Sequence, residues 1–158
     1  MFKKVAVGGT FDHLHEGHIA LLTTCFKVGE QVLVGVSSGK LARGKGAEQG
    51  FRVRLQNLRN FLKSRGWLER CQFEELHDPF GSALNDRELE AIVVSPETRE
   101  RAKELNFKRR EKGLPELVIV EVPWVLAEDG FPISSERIRR KEIDIHGRVI
   151  KRSRRISG

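Results

Sequence analysis

Lys4-Val5-Ala6-Val7-Gly8-Gly9-Thr10-Phe11-Asp12-His13-Leu14-His15-Glu16-Gly17-His18 is the stretch from which the rest of the chain can be read. It opens on a short apolar run that reads as a first buried strand. A double glycine then turns the backbone, and a helix is expected from Gly17 to about Val28. A strand that passes through a glycine turn into a helix is the opening unit of a parallel α/β sheet.

The same alternation continues along the chain. Residues 31–36 form a second strand, followed by a loop from Ser37 to Gly50. That loop carries Gly39, Gly44, Gly46 and Gly50, with Lys40, Arg43 and Lys45 among them. Phe51 to about Ser64 reads as a helix, with Phe51, Leu55, Leu58 and Leu62 on one stripe. Residues 73–76 give a third strand, ended by Asp78-Pro79, and residues 91–94 a fourth, apolar enough to lie centrally. Ser95 as N-cap, Pro96 at the first helical position and Glu97 at the dipole's positive end predict a helix running to Lys112. Gly113 stops it. Residues 117–122 are a fifth strand, and Ser134-Ser135 cap a final helix. The expected fold is α/β: a single Rossmann-like, doubly wound domain with a five-stranded, mainly parallel sheet over residues 1–145. A basic C-terminal tail, residues 146–158, follows it. Such sheets bind ligands at the carboxyl ends of their strands, so the loops after residues 8, 36, 94 and 122 are the ones to inspect.

Composition narrows the class. A chain of 158 residues buries roughly 70% of its unfolded surface, enough for a core without staples. No apolar run approaches the roughly 20 residues that a bilayer needs, and the N-terminus lacks the apolar stretch of a signal peptide. The two cysteines, Cys25 and Cys71, stand in unrelated surroundings, so a reducing, cytoplasmic setting is expected. The net charge of +7 is unevenly placed: residues 1–136 hold 20 basic and 20 acidic groups, residues 137–158 hold 9 and 2. A basic tail can bind polyanions, or it can be a solvated terminus. Without interleaved aromatics or a nucleic-acid module, nucleic acid is not an expected partner. No exposed apolar stripe demands a partner, which favours a monomer.

Three of the five histidines fall in the opening stretch. Gly8 and Gly9 admit a large ligand close to the main chain, and Thr10 offers a hydroxyl. His15 and His18, three residues apart at a helix start, can face one side. A phosphate there would meet backbone N–H groups, the helix dipole and two imidazoles. Two other readings stand. His13, His15 and His18 could ligate a metal, although only Asp12 or Glu16 offers a fourth ligand; or they are ordinary turn residues. Neither the P-loop nor the GxGxxG spacing is present. Near the other end, Ser134 and Ser135 at a helix start, with Arg137 beside them, suit a second anion.

Gly9-Thr10-Phe11-Asp12-x-x-His15-x-Gly17-His18, together with Ile133-Ser134-Ser135-x-x-Ile138-Arg139, resembles the nucleotidyltransferase superfamily with HxGH and ISSxxIR signatures, over about residues 3–140. Asp78-Pro79-Phe80-Gly81, Val93-Val94-Ser95-x-Glu97-Thr98 and the final helix resemble the archaeal/eukaryotic type of phosphopantetheine adenylyltransferase. The resemblance implies transfer of AMP from ATP to 4′-phosphopantetheine by direct in-line attack, giving dephospho-coenzyme A and pyrophosphate in coenzyme A synthesis. It implies that His15 and His18 bond the ATP phosphates, with His18 stabilising the transition state, and that Thr10 orients the attacking phosphate. Lys40 would bridge acceptor and α-phosphate, with Arg43 and Lys45 as alternatives. Ser134, Ser135 and Arg137 would hold the β- and γ-phosphates. Gly8, Gly9 and Phe11 belong to the same ATP site, and Ser95 to Thr98, including Glu97, would pass beneath the adenine. Magnesium would ride on the ATP phosphates, since no carboxylate cage is visible. Other acceptors stay open: flavin mononucleotide, nicotinamide mononucleotide, or an alcohol or sugar phosphate with CTP. The Gly9-Thr10-Phe11-Asp12 opening argues against the nicotinamide type. His13 receives no role; Arg52 and Arg54 open a helix near the active edge and either help to fix substrate or form a solvated face.

Overall fold

The computed structural model describes residues 1–151. Five strands form one sheet: β1 (Phe2–Gly9), β2 (Gly29–Ser37), β3 (Cys71–Leu76), β4 (Ala91–Val94) and β5 (Val118–Glu121). All neighbours pair in parallel, in the order β3-β2-β1-β4-β5. The order reverses beside β1, and there the carboxyl ends of β1 and β4 open a crevice. The helices are α1 (Glu16–Val28), α2 (Gly39–Gly44), α3 (Phe51–Ser64), α4 (Arg99–Glu111) and α5 (Ser135–Arg139).

Strand alternation splits the core into two layers. Val5, Val7, Val32, Val34 and Val36 point to one face and pack with Leu22, Cys25 and Phe26 of α1 and Leu58 and Leu62 of α3. Ala6 and Leu33 point to the other face, with Leu105 of α4 and Leu117. Helices on both faces explain why the strands read as continuous apolar runs.

Two local expectations are corrected. The Ser37–Gly50 segment is not all loop, because Gly39–Gly44 closes a short helix, α2. Ser95 does not cap the next helix. Residues 95–98 form a turn in which Thr98 N donates to Ser95 O at 3.1 Å, and α4 starts only at Arg99. Ser95 N donates to Thr98 Oγ1 instead, so the polar side chains in this turn bond each other, not a helix end.

Beyond β5 the chain returns across the crevice. Ile143 is fully buried against Ala127 and Ile133, and residue pairs Leu126–Pro132 and Ile143–Val149 form antiparallel bridges. Glu16 N, in the first turn of α1, donates to Ile145 O at 3.1 Å, so the segment near residue 145 is tied to the start of α1. Residues 152–158 of the expected tail lie outside the described residues. No described helix is long and apolar enough to cross a membrane.

Ile143 joins this return segment to Ile133, directly before Ser134. Truncating it leaves a cavity where the chain cannot easily collapse. Ile143→Ala is expected to cost about 2–4 kcal/mol in urea unfolding, and a value near zero would detach the segment from the core.

Candidate active site

The loop after β1 is built around a buried phenyl ring. Phe11 is 1% exposed and adopts φ +53°, a left-handed conformation that costs a non-glycine residue energy. A Cβ on Gly9 would lie 3.3 Å from that ring, so Gly9 makes room for Phe11. The ring in turn lies against the His18 imidazole, centroids 5.4 Å apart. His13, at φ +48°, is held by bonds from its N–H to Gln49 Oε1 and between its Nε2 and Glu48 Oε1.

The first turn of α1 fixes both imidazoles. Gly17 N donates to His15 Nδ1 at 3.0 Å, and His15 N donates to His18 Nδ1 at 3.1 Å, a reciprocal capping box. The rings stack with centroids 3.7 Å apart. Gly17 is required here, because a Cβ would stand 2.9 Å from His15 Cε1. Three of the backbone N–H groups expected to meet a phosphate are therefore spent inside the protein: those of His15 and Gly17 on the rings, that of Glu16 on Ile145 O. In each neutral ring an accepting Nδ1 leaves the proton on Nε2. Both rings line the cleft described below, so what they offer a ligand is an Nε2–H donor.

Burial lowers the His15 pKa to about 4, with His13 nearby adding to the effect. Burial likewise holds His18 well below the ordinary histidine value, reinforced by His15. Both rings are neutral near pH 7.

Asp12 binds the two ends of the chain together. Its carboxylate is 1% exposed and accepts from Gln49 N at 2.9 Å, Glu48 N at 3.1 Å and Arg139 Nη1 at 2.9 Å. Burial pushes its pKa up, but these bonds outweigh burial and hold it below the ordinary carboxylate value. The Asp12 carbonyl accepts from Ser135 Oγ at 2.7 Å, which seats α5 on the loop. Ser134 caps α5 by accepting from Arg137 N at 3.2 Å.

These elements enclose a cleft of about 680 Å³ at the carboxyl ends of β1 and β4. Gly8, Gly9, Thr10, Phe11, His15, His18, Ser95, Glu97, Ser134 and Ser135 all line it. Lys40 and Arg137 do not: Lys40 lies exposed on α2, and Arg137 pairs with Asp129 and Glu142. The basic groups in the wall are instead Lys45, Arg101 and Arg139. Lys45 shares the glycine-rich segment with Lys40, and Arg101 lies in the first turn of α4, just beyond the Ser95–Thr98 turn. Neither spacing alone separates a cleft residue from a surface one. Glu97, Glu100, Glu104 and Glu136 also line the cleft. A smaller cavity of about 60 Å³, walled largely by Leu41, Leu76, Phe80, Ile92 and Leu105, shares Gly8, Gly9, Lys45, Thr98 and Arg101 with it.

A resident magnesium ion does not fit the donors present. Among the described residues, Asp12, His13 and Glu48 bring three potential ligand atoms within 4.8 Å of one another. The Asp12 oxygens are already occupied by two N–H groups and the Arg139 cation.

The cytidylyltransferase-like family profile matches residues 6–141. The phosphopantetheine adenylyltransferase of Methanothermobacter thermautotrophicus is 46% identical over 154 residues, spanning 97% of this chain and 93% of the relative. That of Methanopyrus kandleri is 44% identical over 140 residues, spanning 87% and 89%. A crystal structure from Archaeoglobus fulgidus, described as a protein with unknown function, superposes with a TM-score of 0.70 at 35% identity, covering 77% of this chain and 99% of that one.

The depressed histidine pKa values have a measurable consequence. Above the ordinary value of 6.5, His15 and His18 are neutral in folded and unfolded chains alike. Between pH 6.5 and about 4 the unfolded chain takes up protons that the folded site refuses. Folding stability therefore falls with falling pH across that window. A His15→Gln, His18→Gln double variant should show a shallower slope there in denaturant titrations; an unchanged slope would contradict the assignment.

Proposed function

Because the chain belongs to the cytidylyltransferase-like family and, within it, to the phosphopantetheine adenylyltransferases, we propose that it transfers AMP from ATP to 4′-phosphopantetheine, releasing pyrophosphate and forming dephospho-coenzyme A. The observation that carries this reading is the pair of neutral imidazoles, Nδ1 occupied by backbone N–H, in the wall of the large cleft.

The chemistry suits donors better than bases. The acceptor's phosphate is largely ionised near pH 7, its second pKa lying at about 6, so its oxygen needs no residue to deprotonate it. Catalysis then rests on placing that oxygen in line with the α-phosphorus and on stabilising the charge that develops there. His18 donates its Nε2–H to the α-phosphoryl oxygens as they crowd in the transition state, and His15 donates beside it. Neither changes protonation during the reaction. Thr10, whose hydroxyl is buried and makes no hydrogen bond among the described residues, turns that hydroxyl to the attacking phosphate.

Lys45 takes the place between acceptor and α-phosphate, supported by its presence in the walls of both cavities. Arg101 and Arg139 carry the charge of the β- and γ-phosphates, with Ser134 and Ser135 at the start of α5. Arg137 acts at a distance, holding the 125–132 segment through Asp129 and the Pro132 carbonyl. The Ser95–Thr98 turn and the half-exposed indole of Trp124 flank the base. Magnesium would come with ATP and would neutralise charge on its phosphates. The apolar cavity receives the start of the pantetheine arm.

Pyrophosphate release from ATP and magnesium, with 4′-phosphopantetheine, flavin mononucleotide and nicotinamide mononucleotide offered in parallel, tests the reading. Release with phosphopantetheine alone is expected. Release only with another acceptor would overturn the assignment. His18→Ala should lower turnover at least ~100-fold, the size of losing one transition-state donor, while ATP still binds. Lys45→Ala should raise the acceptor KM, whereas Lys40→Ala should stay near wild type; the opposite pattern would return that role to Lys40.

A further inference from the structure

The segment between α2 and α3, residues 45–49, is wound round one ion pair. Arg139 Nη1 donates to Asp12 Oδ2 at 2.9 Å, and Arg139 Nη2 donates to Lys45 O at 3.3 Å. The same carboxylate accepts from Glu48 N and Gln49 N. The segment thus turns a carbonyl to the cation and two N–H groups to the anion, so the pair holds it by both polarities. Its far end has a further anchor. Arg54, only 2% exposed, donates to Gln49 O at 2.9 Å and also to Thr10 O and Ser37 O. At the Lys45 end the anchor is Arg139.

Gly46 shows that this contact is built into the turn. Ala47 N donates to Ala42 O and Gly46 N to Arg43 O, which closes α2 as a Schellman cap with Gly46 at φ +79°. A Cβ on Gly46 would lie 3.2 Å from Arg139 Nη2. Glycine at this position therefore ends the helix and admits the guanidinium at once. Lys45 and Arg139 both line the large cleft, and the Lys45 ammonium lies within electrostatic reach of Arg101 and Glu97, which line it too. Two of the five guanidinium N–H donors of Arg139 make the bonds to Asp12 and Lys45 O, and the others are available to an anion in the cleft.

We propose that Arg139 is the positioning residue for Lys45: besides facing the triphosphate, its guanidinium fixes the backbone from which the acceptor-site ammonium projects. The inference rests on the adenylyltransferase reading, in which Lys45 meets the acceptor phosphate. It adds the group through which the triphosphate wall of the cleft sets the acceptor wall. Lysine cannot replace arginine here, because a single ammonium lacks the fork that reaches Asp12 and Lys45 O together.

A double-mutant cycle read in the acceptor KM separates this from a general structural role. In the chain that keeps Lys45, Arg139→Lys should raise the KM for 4′-phosphopantetheine about 3- to 10-fold, the loss of one hydrogen bond. In a Lys45→Ala chain the same substitution should change that KM less than about 2-fold, because the ammonium to be positioned is gone. Any change in the KM for ATP should be the same in both chains. Should Arg139→Lys not fold, Gly46→Ala, whose Cβ presses on Nη2, carries the same cycle. Equal rises in both chains, no rise in either, or a Lys45→Ala chain with an unchanged acceptor KM overturn the proposal. Wild-type protein in the same assay keeps the two readings apart. Its failure to release pyrophosphate with phosphopantetheine would overturn the function and this inference together, whereas an active wild type in which Arg139→Lys acts independently of Lys45 overturns only the inference.

Discussion

The exchange of hydrogen bonds in the first turn of α1 is the constraint on which the rest of the site depends. A helix start has several N–H groups without partners, and in many nucleotide-binding folds an anion takes them. Here three are taken before any ligand arrives, two by the imidazoles of His15 and His18 and one by the Ile145 carbonyl. The positive end of the helix is thereby passed on. Each backbone N–H polarises an Nδ1, and each ring presents its Nε2–H one ring-width further out. This explains why two histidines can be buried together: as neutral rings they incur little desolvation cost, and stacking at 3.7 Å is tolerable only without two positive charges.

A second constraint joins the ends of the chain. Asp12 reaches Arg139 and Ser135, more than a hundred residues away, and both loops after β2 and β5 are fastened to the loop after β1 through it. A carboxylate at 1% exposure is tolerable only with such a set of donors. The two motifs at opposite ends of the sequence thus meet first through protein contacts. The cleft between them is preorganised, so a bound triphosphate need not spend binding energy assembling it. Arg54 extends the same logic beneath Thr10 and Ser37.

Much of the fold was legible in the sequence because it depends on period. The buried strands read as apolar runs, Phe51 to Ser64 as an amphipathic helix, and Ser134 as a cap, and each is a local property. What was less legible depends on partners far away. Ser95 has the composition of an N-cap, but Thr98 competes for its groups and delays the helix to Arg99. Gly39–Gly44 is too glycine-rich to suggest a helix. Basic residues in one short segment look alike in sequence, and only the fold shows that Lys45 lines the cleft while Lys40 does not. Arg137 stands in the motif beside Ser135, yet the Asp129 carboxylate, reached through a hairpin, claims it. Arg54 on α3 shows no sign in the sequence of its three carbonyl partners.

The central claim is that His15 and His18 are neutral Nε2–H donors in the free protein. Nitrogen-15 NMR of the imidazole rings between pH 5 and 8 reads this directly, since the protonated and bare nitrogens differ widely in shift. The account predicts both rings in the Nε2–H form throughout, with no titration near 6.5. Protons on Nδ1, or a midpoint close to the ordinary histidine value, would contradict it.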